Sequence, residues 1–201
     1  MLRTCLFDMG NVLVHFSHEL MCNQMAALCG KTGEEVRSLL IDSGLQWDFE
    51  RGQLTEAEFH ARFCDVTETN VAFHALRKAG SDIFQLNTPI VPVLDRLREL
   101  DIRLVLLSNT SVSHFEFIQE RFDVLDRFDD FVVSYRVGAI KPERAIFEAA
   151  ISAIECKPGE CFYTDDIAEY VSIGRQFGFQ ADVFTDVAAL TGNFEHRGIA
   201  V

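Results

Sequence analysis

No apolar run in this 201-residue chain is long enough to cross a membrane. Away from the N-terminus the longest, IRLVLL, stops after six residues, where a spanning helix needs about 20. Basic residues are in the minority, with 18 Lys and Arg against 31 Asp and Glu for a formal charge of -13, and they form no cluster. The average surface therefore repels polyanions, and nucleic acid is not an expected partner. Low-complexity tracts and internal repeats are also missing, which excludes disordered and solenoid readings. At the N-terminus, MLRTCLFDMG has one arginine, but Asp8 interrupts its apolar run too early for a signal-peptide core. A cytoplasmic protein is expected, and its six cysteines are then expected as free thiols.

What is present is a globular composition, 48% hydrophobic with 18 phenylalanines, sufficient for one sizeable core or a core plus a small accessory module. Short β-branched and apolar runs recur at 4–7, 103–107, 131–134, 161–164 and 181–184. Helical periodicity lies between the later ones. In TPIVPVLDRLREL, Thr88 is placed to cap and Pro89 suits the first turn, with Ile90, Val93, Leu94, Leu97 and Leu100 on one face. A further helix is expected to start at Pro142 and bury Ile146, Phe147, Ala150, Ile151 and Ile154. Strands alternating with helices predict an α/β fold, a Rossmann-like parallel sheet covered on both faces.

Residues 17–86 break the alternation. They read as helices over 18–29, 33–42, 45–51, 55–65 and 70–79, punctuated by Gly30, Gly44, Gly52 and Gly80. An all-helical cap over 17–86 is therefore expected, inserted into a core made of 1–16 and 87–201.

The predicted strands end in, or lead to, polar groups of particular kinds: Asp8 after the first, Ser108-Asn109-Thr110 after the second, Lys141 beyond the third and Asp165-Asp166 after the fourth. Singly, each has an ordinary structural explanation as a turn residue, a helix cap or a solvated charge. Jointly they should converge, because ligands of open parallel sheets bind beyond the carboxyl ends of the strands. Phosphoryl transfer through an aspartyl-phosphate uses all four. Asp8 would be the nucleophile, the Asp pair would supply hard oxygens for magnesium, Ser108 would hold phosphate oxygens, and Lys141 would offset the charge of one anion attacking another.

In that order, LFDMGNVLV, LLSNTS, GAIKPERAIF and FYTDDIAEYV resemble the four motifs of the haloacid dehalogenase-like hydrolase superfamily. The resemblance runs to about residue 185, with the helical module where that superfamily inserts its C1 cap. The DxGN form of the first motif is similar to that of a branch with sugar-phosphate phosphatases, among them an α-glucose-1-phosphate phosphatase. The resemblance implies magnesium bound by Asp8, the main-chain carbonyl of Gly10 and one or both of Asp165 and Asp166. It implies phosphate held by Ser108, Asn109 and Lys141, and a small phosphorylated metabolite as substrate.

Two positions depart from the pattern. Gly10 stands where most of these phosphatases have the aspartate that acts as general acid and base, and Tyr170 stands where this branch commonly has asparagine. Glycine keeps its carbonyl and frees the chain to turn there, but supplies no proton. An ester whose leaving oxygen is stable unprotonated, such as a sugar 1-phosphate, is then the expected substrate. A 2-haloacid dehalogenase would also explain Gly10, though not the acidic pair, and a non-catalytic ligand-binding member of the fold is a third reading. In DFERGQLTEAEF, which resembles an ERG-turn of the same branch, Arg51 is a candidate to reach substrate. His15 and His18 are candidates to border the site.

Overall fold

The computed structural model describes residues 2–201. In chain order the elements are β1 (Thr4–Phe7), β2 (Val14–His15), α1 (His18–Cys29), α2 (Gly33–Arg37), α3 (Leu45–Glu50), α4 (Glu56–Thr67), α5 (Phe73–Ser81), β3 (Gln85–Leu86), α6 (Val91–Glu99) and β4 (Arg103–Ser108). Then follow α7 (Val112–Arg121), β5 (Asp130–Val133), α8 (Ser134–Val137), α9 (Arg144–Ala153), β6 (Cys161–Asp165), α10 (Ala168–Gln176), β7 (Gln180–Val183) and α11 (Val187–Glu195). No helix among the described residues is long and apolar enough to cross a membrane.

Five strands form one sheet in the order β5-β4-β1-β6-β7, and every pairing is parallel. Strand alternation supplies the two faces. Cys5, Phe7, Leu104, Leu106 and Phe162 enter one apolar layer, while Leu6, Val105, Leu107 and Tyr163 enter the other. Each fully buried Leu or Phe contributes about 1.5–3 kcal/mol, which fixes the register because a one-residue slip would exchange the layers. In that register Phe7 pairs with Leu106 on one side and Thr164 on the other. Asp8 and Asp165 therefore leave the sheet side by side.

Four local expectations are corrected. Leu100 is exposed because it follows the last turn of α6 as the chain leaves the helix, and Thr88 lies within a 3₁₀ turn that Asn87 precedes. Helix α9 starts at Arg144 rather than Pro142, since Glu143 is still extended. Ile151 falls at the edge of its buried stripe and is exposed.

The helices between β2 and β3 have an apolar core of their own, including Met21, Met25, Leu40, Phe49, Phe63 and Leu76. Reciprocal caps start two of them, Thr32 with Glu35 and Thr55 with Glu58. The expected helix over 33–42 is α2 followed by one wider π turn, Ser38–Asp42. The chain enters and leaves this helical insert through the antiparallel pair β2 and β3, with Val14 opposite Leu86.

The insert is fastened to the sheet layer at the ERG turn. Ser134 Oγ donates to the Glu50 carbonyl at 2.6 Å, Arg51 forms a two-pronged bond from Nε and Nη2 to Glu143 Oε1, and Gly52 packs on the Tyr135 backbone. Gly52 has a φ of +71°, and a Cβ there would lie 2.2 Å from the Tyr135 carbonyl oxygen. Gly52→Ala is expected to lower the unfolding free energy by about 2 kcal/mol or more, conformational cost and backbone overlap acting together. Gly44 also has positive φ but faces open space, so Gly44→Ala should lose only about 1 kcal/mol. Urea denaturation compares the two; equal losses would mean that the turn is not tightly seated.

Candidate active site

The strand ends meet around one buried ammonium. Lys141 is 1% exposed, and its Nζ donates to Asp8 Oδ1 at 2.8 Å, Asp165 Oδ2 at 2.6 Å and the Leu107 carbonyl at 3.0 Å. All three hydrogens are thus used, on three adjacent strands. The ring of Tyr170 lies 5.2 Å from Nζ, a favourable place for a cation. The lysine's backbone is clamped in turn: Lys141 N–H donates to Asn109 Oδ1 at 2.6 Å, and Asn109 Nδ2 donates to the Lys141 carbonyl at 3.0 Å.

Asp165 has both oxygens occupied, Oδ2 by Lys141 and the Tyr163 hydroxyl and Oδ1 by the Ile167 N–H. Asp166 keeps an oxygen free, since Asn11 Nδ2 donates to Oδ2 alone at 2.9 Å. Asn11 adopts the left-handed conformation, φ +53°, which asparagine tolerates better than most residues. Tyr163 and Asn11 thus support the acidic pair.

Carboxylate oxygens of Asp8, Asp165 and Asp166 lie within 4.8 Å of one another, so three acids face one ammonium. Burial pushes the Asp8 carboxyl up to about 7 against the pull of Lys141, and Asp165 and Asp166 add to the rise. Burial opposes the charge on Lys141, but Asp165 and Asp8 outweigh it and hold its pKa above the ordinary lysine value. The surplus of negative charge and the free oxygens of Asp8 and Asp166 fit a hard divalent cation.

A cavity of about 160 Å³ opens above this centre. Asp8, Gly10, Asn109, Lys141, Asp166 and Tyr170 line it from the sheet side, and Phe16, His18, Trp47, Glu50 and Phe84 line it elsewhere. Ser108 and Asp165 are fully buried beneath it; the Ser108 hydroxyl contacts the Asn109 carbonyl at 3.4 Å. Of the two histidine candidates, His18 borders the cavity while His15 is exposed on β2. Arg51 is committed to Glu143. Gly10 has ordinary φ, and the turn is taken at Asn11. What glycine provides is room, because a Cβ there would lie 2.9 Å from the Phe16 ring.

Sequence reasoning missed Glu50, Trp47, Asn11 and Tyr163. Glu50 is a charged residue near the end of a helix, with no local signal of burial, yet it is buried. Burial pushes its carboxyl up to about 7, while the Gln46 amide that donates to it acts the other way. His114 also borders the cavity. Burial drops it to about 4, so the ring is neutral and donates Nε2–H to the Gly80 carbonyl.

A parallel sheet whose carboxyl edge carries an acid–lysine centre under a closed-in cavity defines an α/β enzyme of the hydrolase type. A model of the haloacid dehalogenase-like hydrolases matches residues 2–178, and the chain belongs to that family. A D-ribitol-5-phosphate phosphatase from Bacteroides thetaiotaomicron is 24% identical over 188 residues, covering 90% of each chain. A haloacid dehalogenase family enzyme of the same organism, solved with magnesium and inorganic phosphate, is 23% identical with a TM-score of 0.85, over 94% of this chain and 99% of that one. A family hydrolase from Porphyromonas gingivalis is 25% identical with a TM-score of 0.83, over 96% and 98%.

Removing the ammonium should be costlier than loosening it. In chelator, Lys141→Met is expected to destabilise the fold by about 3–5 kcal/mol, because buried carboxylates lose their counter-charge. Asn109→Ala removes two hydrogen bonds but no charge and should cost about 1–3 kcal/mol. Chemical denaturation checks the order, and the reverse order would contradict this view of the centre.

Proposed function

We propose that this hydrolase is a magnesium-dependent phosphatase of small phosphomonoesters working through an aspartyl-phosphate. The observation that carries the reading is the Lys141 ammonium bridging Asp8 and Asp165 with Asp166 beside them. A carboxylate at a strand end, a fixed positive charge and free carboxylate oxygens within reach of one another support Asp8 as the nucleophile. Asp8, the Gly10 carbonyl and Asp166 would hold magnesium, while Asp165 holds Lys141. Magnesium, when bound there, offsets the repulsion between phosphate and carboxylate.

In the first step an Asp8 oxygen bonds to phosphorus while the bond from phosphorus to the ester oxygen breaks, the electron pair leaving on that oxygen, which takes a proton from water to become the alcohol. Ser108 and Asn109 at the end of β4 hold the phosphoryl oxygens, while Lys141, bonded to the attacking Asp8, offsets their charge. Water then attacks phosphorus, the Asp8–phosphorus bond breaks, and phosphate is released. The products are alcohol and phosphate. Residues 17–86 act as the cap that excludes bulk water from the intermediate. The relatives with phosphate or a phosphatase activity in their names support this reading. Dehalogenation would leave Asp166 without a role.

The missing side-chain acid at Gly10 favours esters with a stable leaving oxygen, and a sugar 1-phosphate is the finer reading. Phosphate release is to be measured on p-nitrophenyl phosphate, D-ribitol 5-phosphate and matched D-glucose 1- and 6-phosphates. Asp8→Asn or excess chelator should abolish it, and the 1-phosphate should exceed the 6-phosphate in kcat/KM by about tenfold or more. Turnover that survives Asp8→Asn or chelation would remove the mechanism. Equal rates on the two glucose phosphates would remove only the leaving-group argument.

A further inference from the structure

The insert contributes His18, Trp47 and Glu50 to the cavity wall, and the hydrolytic centre has no use for Glu50. The residue is 5% exposed. Its Oε1 accepts a hydrogen bond from Gln46 Nε2 at 2.9 Å. Oε2 has no protein partner among the described residues. Ser81 Oγ is the one described buried side-chain atom with neither partner nor accessible surface, so Oε2 must reach open space, and the space beside Glu50 is the cavity.

This oxygen is held in place from the sheet side. The Glu50 carbonyl takes the Ser134 hydroxyl, Arg51 is clamped to Glu143, and Gly52 is seated on Tyr135. Burial pushes the carboxyl up to about 7, so a substantial protonated fraction persists near neutrality. With Oε1 accepting from Gln46, the proton belongs on Oε2 and makes it a donor facing the cavity. Lys141 is fully engaged by Asp8, Asp165 and the Leu107 carbonyl, and the wall outside that centre includes the rings of Phe16, His18, Trp47 and Phe84. A neutral donor in apolar company requires an oxygen of the ligand, and stays unpaired when the ligand lacks one. Aromatic walls suit the C–H faces of a polyol.

Building on the phosphatase reading, we propose that Glu50 is a specificity residue that hydrogen-bonds a hydroxyl on the alcohol part of the substrate, so that the enzyme selects phosphorylated sugars or polyols over hydroxyl-free or amine-bearing phosphoesters. It recognises the part of the substrate that leaves, while Asp8 and Lys141 act on the part that is transferred.

The test measures kcat/KM of wild type, Glu50→Leu and Glu50→Gln on D-glucose 1-phosphate, D-ribitol 5-phosphate, p-nitrophenyl phosphate and phosphoethanolamine. Glu50→Leu should lose about tenfold or more on the hydroxylated substrates, chiefly through KM, and under about threefold on p-nitrophenyl phosphate. Glu50→Gln keeps both hydrogen bonds and should stay within about threefold throughout. Equal losses on p-nitrophenyl phosphate, no loss in Glu50→Leu, or a Glu50→Gln loss matching that of Glu50→Leu would each overturn the proposal. So would a wild type that prefers phosphoethanolamine, or one that turns over p-nitrophenyl phosphate and neither hydroxylated substrate. A readout independent of variant folding uses wild type with monodeoxy analogues of whichever hydroxylated substrate it turns over faster. At least one analogue should lose about tenfold, and uniform rates would overturn the assignment. The phosphatase reading fails separately, by absence of Asp8-dependent p-nitrophenyl phosphate turnover in the wild type.

Discussion

Lys141 places a positive charge where the fold has removed nearly all water, and it can do so because each hydrogen of its ammonium has an acceptor. An isolated ammonium at that depth would lose its proton or unfold the site. The two carboxylates and the Leu107 carbonyl come from β1, β6 and β4, so the charge is satisfied only when those three strands are in register. Apolar burial on both faces sets that register, and the polar centre in turn ties the strand ends together. Chemistry and fold share one constraint here: neither Asp8 nor Asp165 can be moved along its strand without stranding the lysine.

The cavity above the centre is made by two bodies that meet at several points. Phe84 packs against the core of the sheet layer as well as that of the insert and also lines the cavity. Phe16 closes over Gly10, so a side chain there would have to displace the Phe16 ring. The ERG turn completes the arrangement by fixing Glu50 from the sheet side, so that the insert brings a carboxyl to the cavity at a defined place.

Much of this was legible in sequence because it is local. A short apolar run ending in a polar group identifies a strand and its carboxyl edge without knowledge of its neighbours, and Asp8, Asn109, Lys141 and Asp166 do border one cavity. Helices in the insert were marked off by its glycines, and the structure adds the caps at Thr32 and Thr55 that start two of them. The division of labour between Asp165 and Asp166 was hidden, since it depends on which oxygens Lys141, Tyr163 and Asn11 reach across strands. Arg51 looked like a substrate contact because Glu143, its partner 92 residues away, is brought near only by the fold. Glu50 was hidden for the same reason: in the sequence it is a charged residue near the end of a helix.

If Asp8 carries the phosphoryl group between its two transfers, as proposed, the group can be trapped on it. Turnover of p-nitrophenyl phosphate in magnesium, stopped by rapid quench and followed by peptide mass spectrometry, should find phosphate on the peptide containing Asp8. That label should be lost on treatment with hydroxylamine and absent from Asp8→Asn. Phosphate release from the wild type with no covalent label, or with the label on another residue, would contradict the account.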